Sequence, residues 1–117
     1  MRRKPGALVP LELAICAAAA DLRRTGVEEF HGYVIAKALK EHSDHRLLTA
    51  YGTLYRALAR LEQMGLLTSR WEDAHAAAAE NRPRRRFYAL TAAGDEAATE
   101  AARAAAEKRA KKGWASA

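Results

Sequence analysis

The sequence predicts a mainly α chain with a small β-hairpin, and three observations carry that reading. Apolar residues recur at helical spacing in three stretches before residue 65. Two short runs rich in aromatic and β-forming residues follow, "LLTSRWE" (66–72) and "RRFYALT" (85–91). From Ala92 onward the chain is an alanine-rich helical pattern.

The first helix places Leu11, Ala14, Ile15, Ala18 and Leu22 on one face. Pro10 suits its first turn, where a missing N–H costs nothing, and Gly26 ends it. The second helix runs from His31 to His42 with Ile35, Ala38 and Leu39 as its apolar stripe, and "SDHRLLTA" is a short connection. The third runs from Ala50 to Met64 and stops at Gly65, a usual C-terminal glycine signal. Between the two strands lies "DAHAAAAENRPR", too long for a tight turn and closed by Pro83. Thr91 caps the last helix. Its acids (Asp95, Glu96, Glu100) come early and its bases (Lys108, Arg109, Lys111, Lys112) late, as the helix dipole favours. No repeat or interdomain linker breaks the 117 residues, which suffice for one modest core.

The net charge of +6 favours a polyanionic partner: nucleic acid, or less often an anionic membrane surface. Acidic residues are scattered, whereas basic ones clump at Arg2-Arg3-Lys4, Arg82 to Arg86 and Lys108 to Lys112. A lone Cys16 offers neither a disulfide framework nor a zinc site, so a reducing cytoplasm is the expected compartment. "RRK" followed by "LVPLELAICAAAA" loosely resembles a secretory leader. Glu12 interrupts it, however, and Ile15 stands before Cys16 where a lipoprotein cleavage box needs a small residue. No stretch approaches the ~20 apolar residues of a membrane span.

Three helices and then a hairpin is the order of a winged helix-turn-helix, in which the third helix enters the DNA major groove N-terminus first. Its leading residues must be short enough for close approach and polar enough to bond bases or phosphates. Here Leu54, Ala57, Leu58 and Leu61 share one face. The opposite face carries Thr49, Gly52, Thr53, Arg56, Ala59, Arg60 and Gln63, with Tyr51 and Tyr55 on the flank. A merely solvated face would look the same. The run "RPRRR" shifts the balance towards nucleic acid. Its Arg82, Arg84, Arg85 and Arg86 sit where a wing would descend to the sugar-phosphate backbone, and arginine bonds phosphate in two-pronged fashion.

Three motifs, "HGYVIAKAL" (31–39), "YGTLYRALARLEQMGLLTSRWE" (51–72) and "RRRFYALTAAG" (84–94), resemble the PadR family of bacterial transcription regulators over residues 11–94. The resemblance implies a winged helix-turn-helix that binds operator DNA as a homodimer, usually as a repressor. Many members are released by a small molecule such as a phenolic acid or a drug, which leaves room for an inducer of unknown identity. It also implies that Thr53, Tyr55, Tyr33 and the wing arginines lie at or near the DNA-facing surface. Two features depart from the family pattern. Arg56 stands where many members have proline. The C-terminal helix, which carries much of the family's dimer interface on large apolar residues, has no Leu, Ile, Val, Phe or Met between Ala92 and Gly113.

Other chemistry finds less support. His42, Asp44 and His45 lack the further ligands of a metal site, so no metal and no cofactor are expected. Cys16 reads as a buried, inert thiol rather than a redox sensor. Trp71 reads as core or wing-base packing, and Trp114 is isolated. Ser43, Ser69 and Ser116 have no placed His/Asp setting, and no phosphate-binding glycine loop is present, so an enzyme is not expected.

The expectation is a winged helix-turn-helix domain over 8–91 and a C-terminal dimerisation helix over 92–113. DNA contacts are expected from Tyr33, Thr49, Tyr51, Gly52, Thr53, Tyr55, Arg56, Arg60, Arg82, Arg84, Arg85 and Arg86. The dimer seam is expected from Leu8, Val9, Leu11, Ile15, Ala98, Ala101, Ala102 and Ala105. The alternative is a winged-helix protein-interaction module that binds an acidic partner protein and no DNA.

Overall fold

A computed structural model describes residues 8–42 and 51–116. Thr49, His45, the Arg2-Arg3-Lys4 cluster and the "SDHRLLTA" connection lie outside the described residues. The elements in order are α1 (Pro10–Arg24), β1 (Glu29–Phe30), α2 (Gly32–His42), α3 (Tyr51–Gln63), β2 (Leu67–Trp71), α4 (Ala74–Ala79), β3 (Arg86–Leu90) and α5 (Ala92–Ser116). The three-helix, hairpin and final-helix order predicted from the sequence is the order observed.

The boundaries have local causes. Val9 precedes α1 in extended conformation, and Pro10 takes the first helical position. Gly65 ends α3 at φ +78°, a left-handed conformation that a side chain would strain. The Thr91 hydroxyl accepts the Gly94 N–H at 3.0 Å, capping α5, and itself donates to the Gly65 carbonyl at 2.7 Å. One threonine therefore joins the end of α3 to the start of α5.

Two elements go beyond the expectation. The sheet has three strands in the order β1-β3-β2, all antiparallel, because the two-residue β1 pairs with β3 (Glu29 with Ala89, Phe30 with Tyr88). The segment between the hairpin strands is not all loop. Asp73 accepts the His75 N–H at 2.9 Å and starts the short α4. On the far side of the sheet's middle strand, β2 pairs from Leu67 opposite Leu90 to Trp71 opposite Arg86.

The core gathers Ile15 and Cys16 of α1, Phe30 of β1, Ile35 and Leu39 of α2, and Leu54, Leu58 and Leu61 of α3, with Leu67 and Tyr88 from the sheet. The leucine face of α3 predicted from spacing is thus the buried one. Burial pushes the Cys16 thiol up to about 11, so it stays protonated at neutral pH. Two seam expectations need correction. Ile15 and Ala98 are buried in the chain's own core, with α5 packed on α1, and neither has surface left for a partner copy. Among the described residues no helix is long and apolar enough to cross a membrane, and no cluster of His, Cys, Asp and Glu is placed to hold a metal ion.

Candidate nucleic-acid interface

The outward side of α3 begins with little bulk. Gly52 is exposed, and a Cβ placed there would meet only the Arg56 guanidinium, at 3.7 Å. Arg56 is exposed and donates to Thr53 Oγ1 at 3.2 Å, so its head leans over the leading turn. Tyr51 opens the helix. Tyr55, one turn on from Gly52, is 45% exposed, and Tyr33 at the start of α2 is 63% exposed.

The wing is organised by one carboxylate that sequence reading did not single out. Glu72 directly follows β2 and is buried. Arg82 donates to both of its oxygens, at 2.5 and 2.8 Å, and also to Glu80 at 2.7 Å. The Arg85 N–H donates to Glu72 Oε1 at 3.2 Å, and Arg84 Nε donates to the Glu72 carbonyl at 2.8 Å. The hydrogen bonds from Arg82, with that from the Arg85 backbone, hold the Glu72 carboxyl down at about 2.

The four arginines therefore do different things. Arg82 was expected to contact DNA, but its guanidinium is spent inside the wing on Glu72 and Glu80. Arg84 and Arg86 lie over the Trp71 ring at 5.8 and 5.2 Å from its centre. Arg86 also donates to Ser69 Oγ at 3.1 Å, and that hydroxyl donates to Glu62 of α3 at 2.6 Å. Trp71 is 53% exposed, so of the two expectations, core or wing-base packing, the core one fails: the ring is an outward platform for two cations of the wing. The Arg85 side chain is exposed and makes no hydrogen bond or ion pair among the described residues.

These parts meet in an open groove of about 640 Å³, lined by His31, Tyr33, Tyr55, Trp71 and the arginines of the wing. His31 stacks on Tyr33 and meets Phe87 edge-on. Burial first, and then the positive charges of Arg85 and Arg82, lower its pKa, so the imidazole is neutral at pH 7. The groove thus offers aromatic faces and fixed cations to a polyanion. Arg60 is divided: its Nε faces α1, 3.2 Å from Glu12 Oε2, while its side chain stays 40% exposed. Glu12, first read as an interruption of an apolar stretch, is a buried partner.

Among solved structures, a PadR family transcription regulator from Clostridium difficile superposes with TM-score 0.67 at 23% identity, covering 89% of this chain and 96% of that one. A PadR family regulator from Eggerthella lenta gives TM-score 0.59 at 25% identity, covering 88% of this chain and 84% of that one. Bacillus subtilis PadR in complex with operator DNA gives TM-score 0.51 at 23% identity, covering 74% of this chain and 45% of that longer one. A comparison with curated protein sequences finds no match. The profile of the transcriptional regulator PadR-like family matches residues 22–100, from the end of α1 into α5. A match of that extent, over a winged helix-turn-helix of the same architecture, means that the chain belongs to the PadR-like family of transcriptional regulators.

Proposed function

We propose that this regulator binds a two-fold symmetric operator as a homodimer in the cytoplasm and represses by occluding a promoter, with release by a small-molecule inducer. The observation that carries the reading is the pairing of a low-bulk, polar leading end of α3 (Gly52, Thr53, Arg56) with an exposed, unengaged Arg85 on the wing. The first suits the floor of the major groove and the second suits phosphate. The structural neighbour from Bacillus subtilis, bound to operator DNA, supports the same use of the fold. On this reading Tyr33, Tyr55 and the aromatic-cationic groove follow the sugar-phosphate backbone.

A partner copy would sit against Leu8, Val9 and Leu11 of the α1 end and Ala101, Ala102 and Ala105 of α5. Val9, Ala102 and Ala105 are exposed, and Leu8, Leu11 and Ala101 are half-buried. Two winged helices held about 34–36 Å apart would read successive major grooves on one side of the duplex. Selection of bound duplexes from a random pool tests the proposal. A two-fold symmetric consensus is expected. Recovery of sequences with no common element would overturn it.

A further inference from the structure

Arg60 stands on the sequence's polar face of α3 and its side chain is 40% exposed, yet its Nε is turned to α1. Its Nε is shut off from solvent and lies 3.2 Å from Glu12 Oε2, an ion contact without hydrogen-bond alignment. Glu12 is on α1 and only 2% exposed. Its other oxygen accepts the Val9 N–H at 3.0 Å. One carboxylate thus ties the first turn of α1 to the middle of α3.

Stability is a poor explanation for such a pair. Withdrawing the Glu12 carboxylate from water is costly, and an arginine whose side chain is still partly in solvent repays only some of that. What an ion pair supplies that a leucine contact does not is a restricted geometry. Position agrees with that role. Roughly 12 Å of helix rise separates Gly52 from Arg60. Arg60 therefore stands well behind the end that leads into a groove. The helix it is tied to carries Leu11 and is entered through Leu8 and Val9, and Val9 is the very residue whose N–H the same carboxylate holds.

We propose that Glu12 and Arg60 form an orientation lock that sets the pose of α3 on α1, so that Arg60 is a positioning residue for operator reading and not a contact to base or phosphate. The inference rests on the DNA-binding reading above. It adds that the angle of each reading helix to the dimer-facing helix is fixed by this pair. An error in that angle enters once per protomer and misplaces both helices against a two-fold site. Specific binding suffers, while non-specific attraction to phosphate does not.

The test uses Glu12→Gln, Arg60→Gln and the double variant in the full chain, each first shown to be folded by its thermal transition. Two probes are titrated: a duplex that the wild-type protein selects from a random pool, and an unselected duplex of equal length. Each single variant is expected to lose about tenfold on the selected duplex and little on the other, and the double variant to lose no more than either single. The slope of log K against log salt is expected to stay at the wild-type value, since no phosphate contact is removed. A fall of about 0.9 in that slope for Arg60→Gln would overturn the lock, as would relaxed preference at a single base pair with Glu12→Gln harmless. If Glu12→Gln unfolds, Arg60→Lys carries the test, because it keeps a cation facing Glu12. Binding and slope near wild type are then expected, and a tenfold loss on the selected duplex would refute the proposal. Failure of the wild-type protein to select any sequence would sink the DNA-binding reading itself, an arm that involves neither residue.

Discussion

The Tyr55 hydroxyl occupies the space in front of Gly32: a Cβ at Gly32 would lie 2.2 Å from that oxygen and 2.7 Å from Cζ of the ring. The glycine of "HGY" and the tyrosine of "GTLY" are therefore one structural device that seats α3 against the start of α2. Glycine at an ordinary helix position is unfavourable by about 1 kcal/mol relative to alanine. Here the ring reverses the preference. We expect Gly32→Ala to displace the half-exposed ring and to destabilise the domain by no more than about 1 kcal/mol. In a Tyr55→Ala background the same change should become neutral or slightly stabilising. Urea denaturation of the four proteins measures this, and a cost that persists without the Tyr55 ring would place the constraint elsewhere.

Gly94 is the harsher case. A Cβ there would meet the Leu66 carbonyl oxygen at 2.1 Å and Leu90 Cδ1 at 2.7 Å. Tyr55 is a half-exposed side chain that can swing aside, but Leu66 O is backbone and already accepts the Thr91 N–H at 3.0 Å. Gly94→Ala should cost about 3 kcal/mol or more, with α5 levered off the sheet. A thermal transition within a degree or two of wild type would contradict this packing.

The wing arginines should separate by function. Arg85→Ala is expected to weaken binding to all duplexes alike and to lower the salt slope by about 0.9, the value of one phosphate contact. Arg82→Ala should act through structure, since it strips the buried Glu72 of its bidentate partner. Its signature is a changed emission of Trp71 in the free protein, read in a Trp114→Phe background. If Arg82→Ala lowers the slope with Trp71 undisturbed, Arg82 reaches DNA after all.

How much of this was legible in sequence differs by feature. Leu54, Ala57, Leu58 and Leu61 repeat at helical spacing among polar neighbours, so both the helix and its buried side could be read directly. A strand of two residues, Glu29–Phe30, has no room for an alternating pattern. It exists because β3 offers it an edge. The α4 segment is nearly all alanine, with no polarity contrast between faces, and its Asp73 cap was the one local sign. The arginine run was visible as charge, but four identical side chains carry no mark of their separate uses. That sorting is done by Glu72 and Trp71, through backbone positions set by the hairpin register. Arg60 shows the limit of a helical wheel. Its angle on α3 reads as outward and its side chain is still partly exposed, but the packing of α1 draws its Nε inward.

Acid should loosen the wing in a defined window. Above the ordinary carboxyl value of 4.5, Glu72 is ionised whether the chain is folded or unfolded, and its bonds contribute fully. As pH falls below 4.5 the unfolded chain takes up the proton first, while the folded carboxyl resists until about 2. The contribution is therefore present above 4.5 and is lost as pH falls through about 2. Glu29, paired with Arg70, and Glu100, paired with Arg103, are lowered as well and add to the same slope. Glu72→Gln should be less stable than wild type at neutral pH, with the gap closing as pH approaches 2. Urea midpoints measured across that range check it, and a gap independent of pH would show that Glu72 acts by shape alone.

The proposed dimer makes the last prediction, and the α1 entry allows a clean version of it. Val9 is exposed and serves as the cap residue before α1, in extended conformation. Aspartate is among the best residues for that position, because its carboxylate can accept the free N–H groups of the first turn. Val9→Asp should therefore leave the folded domain as stable as before, or raise its stability slightly. In a seam between two copies the same change places two carboxylates in an apolar contact, which opposes association. Truncation gives the second arm. Ending the chain after Arg103 keeps the buried Ala98 and the half-buried Ala101 but removes the exposed alanine turns beyond. Alanine methyls bury little area each, at ~25 cal/mol per Å², so this loss should weaken the dimer without abolishing it. Sedimentation of the three proteins separates the cases. Full-length chain should be dimeric at concentrations on the order of tens of micromolar, the truncated chain a weaker dimer, and Val9→Asp mostly monomer with an unchanged or higher thermal transition. A full-length chain that stays monomeric would remove the dimer and, with it, the two-fold operator. Full association of Val9→Asp would move the seam away from α1.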